Sequence, residues 1–138
     1  MFISNSPTET ADAGASCAQE AGVGDVFALI GDLGAGKTQF VKGFVSAIGS
    51  KSDVTSPTFT LLHEYGGGRC LVYHFDFYRL DSAAAVNRLG FEDYVYGDGI
   101  CVIEWADRFP DLLPPNAKKI SIAVQSETAR AITGIPSR

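Results

Sequence analysis

The stretch Gly31-Asp32-Leu33-Gly34-Ala35-Gly36-Lys37-Thr38 decides how this chain is read. Its glycines let the backbone turn tightly with successive N–H groups pointing inward, which makes a concave nest for anionic oxygens. Lys37 adds a point charge within reach of β- and γ-phosphates, and Thr38 adds a hydroxyl for Mg²⁺. The spacing is that of the phosphate-binding loop, G-x-x-x-x-G-K-[ST]. All eight residues, Leu33 included, are candidates for holding the nucleotide.

The flanks agree with that reading. Val26-Phe27-Ala28-Leu29-Ile30 is an unbroken apolar run, as in a strand buried on both faces of a parallel sheet. Phe40, Val41, Phe44, Val45 and Ile48 then form a helical stripe, and Gly49 is placed to end the helix. Strand, glycine-rich turn and helix therefore follow in order. The helix start would bring a partial positive charge to the phosphates.

The chain has 138 residues, enough for one domain with a substantial core, and 1–138 is read as a single ATPase domain of the phosphate-loop type. Its net charge is −5, and the basic residues are scattered rather than clustered. Such a surface is poorly suited to tracking a nucleic-acid backbone unaided. Cys17, Cys70 and Cys101 are widely spaced and odd in number, which suggests neither a disulfide framework nor a zinc site. Cys70 and Cys101 open apolar runs and are read as small buried thiols. No secretory leader and no membrane-length apolar run is visible, so the expected compartment is the cytoplasm.

Ser6 to Ala21 is polar, alanine-rich and weakly periodic; either a short helix opening near Thr8-Glu9-Thr10 or a frayed segment fits it. Thr58 to Tyr65 and Leu71 to Phe75 read as a hairpin turning at Gly66-Gly67-Gly68. Ser82 is placed to cap a short helix that runs to Leu89 and ends at Gly90. Ile100–Ile103 and Ile120–Val124 are further strands, separated by the breaker Leu112-Leu113-Pro114-Pro115. The expected fold is α/β: a three-layer, phosphate-loop NTPase-like domain with a mixed, mostly parallel sheet and one antiparallel hairpin.

Nucleotide chemistry also requires acids beside the metal and the attacking water. Asp76 and Glu104 each follow an apolar strand at its carboxyl end, the edge where ligands bind in open α/β sheets. They are the candidate catalytic acids, one to hold Mg²⁺ and the other to orient or deprotonate water, and their spacing does not divide those roles. Arg79 and Arg108 follow these acids and could pair with a carboxylate or reach a phosphate; a surface ion pair is the preferred reading. His74 is read as facing the opposite way from Asp76, a structural residue rather than a catalytic one. Trp105 is read as packing near the site. Ser56-Pro57-Thr58 is placed either as a segment that senses nucleotide state or as a plain turn.

Five strings occur together in this order: the phosphate loop, Ser56-Pro57-Thr58-Phe59-Thr60, His74-Phe75-Asp76-Phe77-Tyr78-Arg79-Leu80, Leu89-Gly90-Phe91-Glu92-Asp93-Tyr94, and Ile103-Glu104-Trp105. In combination they resemble the TsaE family, small bacterial ATPases of tRNA threonylcarbamoyladenosine biosynthesis, over about Gly24 to Pro114. The resemblance implies ATP and Mg²⁺ as cofactors. Gly34 to Thr38 would hold the phosphates, Thr38 and Glu104 would be the metal ligands, and Asp76 would be needed for hydrolysis. It also implies two partner proteins, a threonylcarbamoyl transferase subunit and its paralogous companion. The tRNA would be met only through that complex, with no part for DNA or a membrane. The chain would hydrolyse ATP, weakly alone and faster with its partners, to reset or activate the complex without itself transferring the group. Gln39 departs from the family pattern, which commonly has a second Thr there, and the N-terminal segment matches only through Thr10 and Gly14.

The alternative is a small-molecule kinase built on the same loop. Such an enzyme needs an acceptor pocket and usually an arginine-rich lid, and the sequence has no run with several arginines.

Overall fold

In the computed structural model, residues 1–32, 34–55 and 61–136 are described. Leu33 and the Ser56–Thr60 string, with the first part of the expected strand from Thr58, lie outside them. The described elements are β1 (Phe2–Ser4), α1 (Pro7–Gln19), β2 (Val26–Ile30), α2 (Lys37–Ile48), β3 (Leu62–Tyr65), β4 (Leu71–Asp76), α3 (Ala83–Arg88), α4 (Phe91–Val95), β5 (Gly99–Glu104), β6 (Lys118–Val124) and β7 (Arg130–Thr133).

All seven strands form one sheet in the order β1-β7-β6-β2-β5-β4-β3. The central four, β6, β2, β5 and β4, run parallel. The expected hairpin places β3 antiparallel on β4 at one edge. A second hairpin, β6–β7, extends the other edge, and β1 closes it antiparallel to β7. The sheet is therefore parallel at its centre, where the loop sits, and antiparallel towards both edges.

Strand alternation sorts the core into two layers. Phe27, Leu29, Ile100, Val102, Ile120 and Ile122 face α1 and α2, packing on Phe40, Phe44 and Ile48. Val26, Ala28, Phe75, Cys101 and Ile103 face the other way, onto Phe77, Leu80, Val86, Phe91 and Val95. The three-layer expectation holds. Truncating a fully buried ring such as Phe40 or Phe44 to Ala costs about 3–5 kcal/mol on general grounds.

The weakly periodic N-terminal segment is a regular helix. Ser6 accepts from the Glu9 N–H at 3.1 Å, Glu9 reaches back to the Asn5 N–H at 3.2 Å, and Pro7 occupies the first turn. These are the devices of an N-terminal cap. Its buried stripe is Thr10, Ala13, Gly14, Cys17 and Ala18, too small to register as an apolar periodicity. The small residues allow close approach: a Cβ on Gly14 would fall 2.0 Å from the Phe40 carbonyl oxygen, and one on Gly43 would fall 1.8 Å from that of Ala11. Two glycines thus press α1 and α2 together from both sides. Ser82 caps α3 as expected, through Ala85 N–H at 3.2 Å. Gly90 ends that helix and also starts α4, at φ 76°.

Candidate functional site

The carboxyl ends of β2, β4 and β5 meet at one edge of the sheet. The registers Leu29–Glu104 and Asp76–Glu104 place the two acids as neighbours in front of the loop that leaves β2. Gly34, Ala35, Gly36, Lys37, Thr38, Gln39, Asp76, Tyr78, Arg79, Glu104 and Trp105 line one cavity of about 420 Å³. The loop and both acids thus come together, as expected from positions far apart in the chain.

Within the loop, Gly34 and Gly36 have φ of 78° and 102°, the left-handed region that glycine enters at no steric cost. Gly36 caps α2 with no side-chain hydrogen bond. The first amides of that helix are thus not consumed by a capping side chain, as an anion-binding terminus requires. Gly31 abuts β6, where a Cβ would fall 2.6 Å from the Ile122 carbonyl oxygen. Asp32 accepts from the Ala35 N–H at 3.0 Å and closes the turn.

Lys37 is only 5% exposed. Its Nζ donates to the Gly31 and Asp32 carbonyls at 2.5 and 3.0 Å and lies 4.0 Å from the centre of the Trp105 ring. Burial pulls its pKa below the usual lysine value, while the negative charges of Glu104, Asp76, Asp107 and Asp32 push it back up. Trp105 has φ 59° and stacks against Tyr78 at 4.8 Å, so it packs at the site as anticipated.

Asp76 and Glu104 are 1% and 3% exposed. Asp76 Oδ1 accepts from the Tyr78 N–H at 2.8 Å, which orients its carboxylate. The hard oxygen donors Thr38, Asp76 and Glu104 around one cavity suit Mg²⁺, which binds through one or two carboxylates, waters and phosphate oxygens. Among the described residues no group of three or more His, Cys, Asp or Glu could hold a metal alone. The donor set therefore fits an ion shared with a phosphate better than a closed metal cage.

Two sequence readings change, and one supporting residue is new. His74 stands two residues before Asp76 on β4, and strand side chains repeat every second residue, so both face α2. Its Nε2 lies 2.6 Å from Glu104 Oε2, and its Nδ1 lies 3.0 Å from the Tyr65 hydroxyl. Among the described residues Arg108 makes no ion pair; it donates to the Tyr78 and Leu80 carbonyls at 3.0 and 2.8 Å, strapping the chain that leaves β4. Arg130, in a stretch with no expected role, donates to the Ala35 and Gly34 carbonyls, both at 3.1 Å. It holds the outer face of the loop from β7, and only the pairing of β7 with β6 reveals it.

A strand, a glycine loop and a helix on a parallel sheet centre, with a lysine and two acids at its carboxyl edge, define a domain of the phosphate-loop NTPase-like class. The family model for the threonylcarbamoyl adenosine biosynthesis protein TsaE matches residues 4–132, and the chain belongs to that family. It is 41% identical over 127 residues to the TsaE of Bacillus subtilis, covering 92% of this chain and 79% of that protein. With the TsaE of Treponema pallidum it shares 43% over 131 residues, 95% of this chain and 96% of that one. The crystal structure of Bacillus subtilis YdiB superposes with a TM-score of 0.82 at 36% identity, over 95% of this chain and 80% of that one. Among the described residues no helix is long and apolar enough to cross a membrane.

Proposed function

We propose that this protein binds ATP with Mg²⁺ and hydrolyses it in the service of threonylcarbamoyladenosine formation on tRNA. The observation that carries the reading is the placement of Asp76 and Glu104 at paired strand ends, in one cavity with Lys37 and Thr38. Loop amides from Gly34 to Thr38 and the Lys37 ammonium bind the phosphates. Thr38 and Glu104 would hold the Mg²⁺, which would supply charge neutralisation to the phosphates. Asp76, fixed by the Tyr78 amide, orients the attacking water and accepts its proton. Leu33 belongs to the loop by sequence, and the Ser56–Thr60 string is assigned to sensing nucleotide state.

The relatives named as threonylcarbamoyladenosine biosynthesis proteins support the pathway. The net charge of −5 supports a division of labour in which partners, the transferase subunit and its paralogue, hold the tRNA. This chain resets or activates that complex in the cytoplasm and does not transfer the group. Phosphate release from ATP, measured alone and with the purified transferase pair, tests the reading. Slow turnover that rises with the partners is expected; phosphate appearing on a small metabolite would instead identify a kinase.

A further inference from the structure

His74 is fully buried, and Tyr65 and Glu104 are each 3% exposed. These three side chains cross three adjacent strands, β3, β4 and β5, beneath α2. Apart from Asp76 at its edge, this face of β4 and β5 is otherwise filled by apolar side chains such as Val72, Ile100 and Val102. A polar chain in that layer costs free energy unless every member is satisfied, and among the described residues no buried side-chain nitrogen or oxygen lacks a partner.

The bonds have a direction. The Glu104 carboxylate only accepts, so His74 Nε2 carries the proton at the 2.6 Å contact. In the neutral ring Nδ1 then accepts from the Tyr65 hydroxyl at 3.0 Å. The same hydroxyl lies 3.3 Å from His63 Nδ1, from which it can accept, and 3.3 Å from the Thr55 carbonyl; its one proton serves a single acceptor at a time, so a bond to Thr55 requires His74 Nδ1 to donate to Tyr65 instead. Rotation of the imidazole would break both of its bonds at once, and rotation of the carboxylate would break one.

We propose that His74 and Tyr65 are positioning residues for Glu104, presenting its carboxylate to Mg²⁺ in one orientation. The proposal rests on Glu104 being a metal ligand, as read above. Neither residue is among those that line the loop cavity; Tyr65 acts through His74, and His74 through Glu104. Outer hydrogen-bond partners of metal ligands commonly govern affinity in this way.

The test is Mg²⁺-dependent binding of ADP, followed by calorimetry, with thermal melting to verify folding. His74→Leu is expected to raise the half-saturating Mg²⁺ about tenfold, and Tyr65→Phe about threefold or more, while ADP affinity without metal stays within about twofold. His74→Gln keeps an amide donor for Glu104 and is expected to stay within about twofold of wild type. A folded His74→Leu with the wild-type Mg²⁺ midpoint overturns the proposal, and a wild-type midpoint in Tyr65→Phe removes Tyr65 from it. Tyr65→Phe preserves the ring, so it carries the test if His74→Leu does not fold. If ADP binding by the wild-type protein ignores Mg²⁺, the reading of Glu104 as a ligand fails first; a wild type that responds and variants that do not shift refute the positioning role alone.

Discussion

Asp76 and Glu104 are register partners at the last paired position of β4 and β5, with their Cα atoms side by side and both side chains almost wholly buried. Two adjacent acids in one cavity invite separate tasks, and their surroundings differ. Asp76 takes a backbone N–H from Tyr78, whereas Glu104 takes an imidazole N–H from His74.

Asp76→Ala is expected to bind ATP with near wild-type affinity and to lose about 100-fold or more in turnover, the usual scale for a group that handles a proton. Equilibrium binding and single-turnover hydrolysis check the two halves separately. Unchanged hydrolysis would remove Asp76 from the reaction.

Glu104→Ala should leave metal-free nucleotide binding intact and flatten its dependence on Mg²⁺. Titrations of ADP with and without the ion measure this. Curves that overlay the wild type would place the ion elsewhere.

Lys37→Met should abolish ATP binding while the protein stays folded. Because burial lowers the folded pKa of Lys37 below its ordinary 10.5, the folded chain holds fewer protons than the unfolded chain between those two values. Stability tied to this group therefore rises with pH through that window. Any stability gained by Lys37→Met should be largest at neutral pH and shrink towards pH 10.5. Urea melts at several pH values would show it; a gain that grows with pH contradicts the assignment.

Burial pushes the thiols of Cys17 and Cys101 up to about 12, while Cys70, expected from the sequence to be buried, is partly exposed. At pH 8 a disulfide reagent should modify Cys70 in the folded protein and all three thiols after denaturation. Rapid reaction of Cys17 in the native state would mean that α1 does not stay docked.

Gly43→Ala should destabilise the protein by about 1–3 kcal/mol, the range for overpacking a tight contact, because its new Cβ meets the α1 backbone. Denaturant unfolding measures it. A neutral result would mean that the two helices can part without cost.

Much of the site was legible because its chemistry is local. A phosphate nest needs glycines and a lysine at fixed spacing, and the apolar run Val26–Ile30 coincides with β2 to the residue. The helix after the loop ends at Gly49, φ 98°, as its stripe and glycine foretold. The ends of β4 and β5 were visible as apolar runs followed by acids, so Asp76 and Glu104 could be named without a structure. The family, too, followed from the order of the strings.

What lay beyond the sequence was every relationship set by the order of strands in the sheet. Helix α1 was ambiguous because its contact face is made of small residues that only a tightly packed partner helix makes meaningful. Arg130 lies 96 residues from the Gly34 carbonyl it holds, and His74 lies 30 from Glu104. Periodicity and turn chemistry act over a few residues, so they determined the loop, its strand and its helix. Only the lateral pairing of β6 with β7 and of β3, β4 and β5 decided which distant side chains would support that loop. Such pairing is settled by burial and hydrogen bonding between segments that carry no mark of each other in the linear chain.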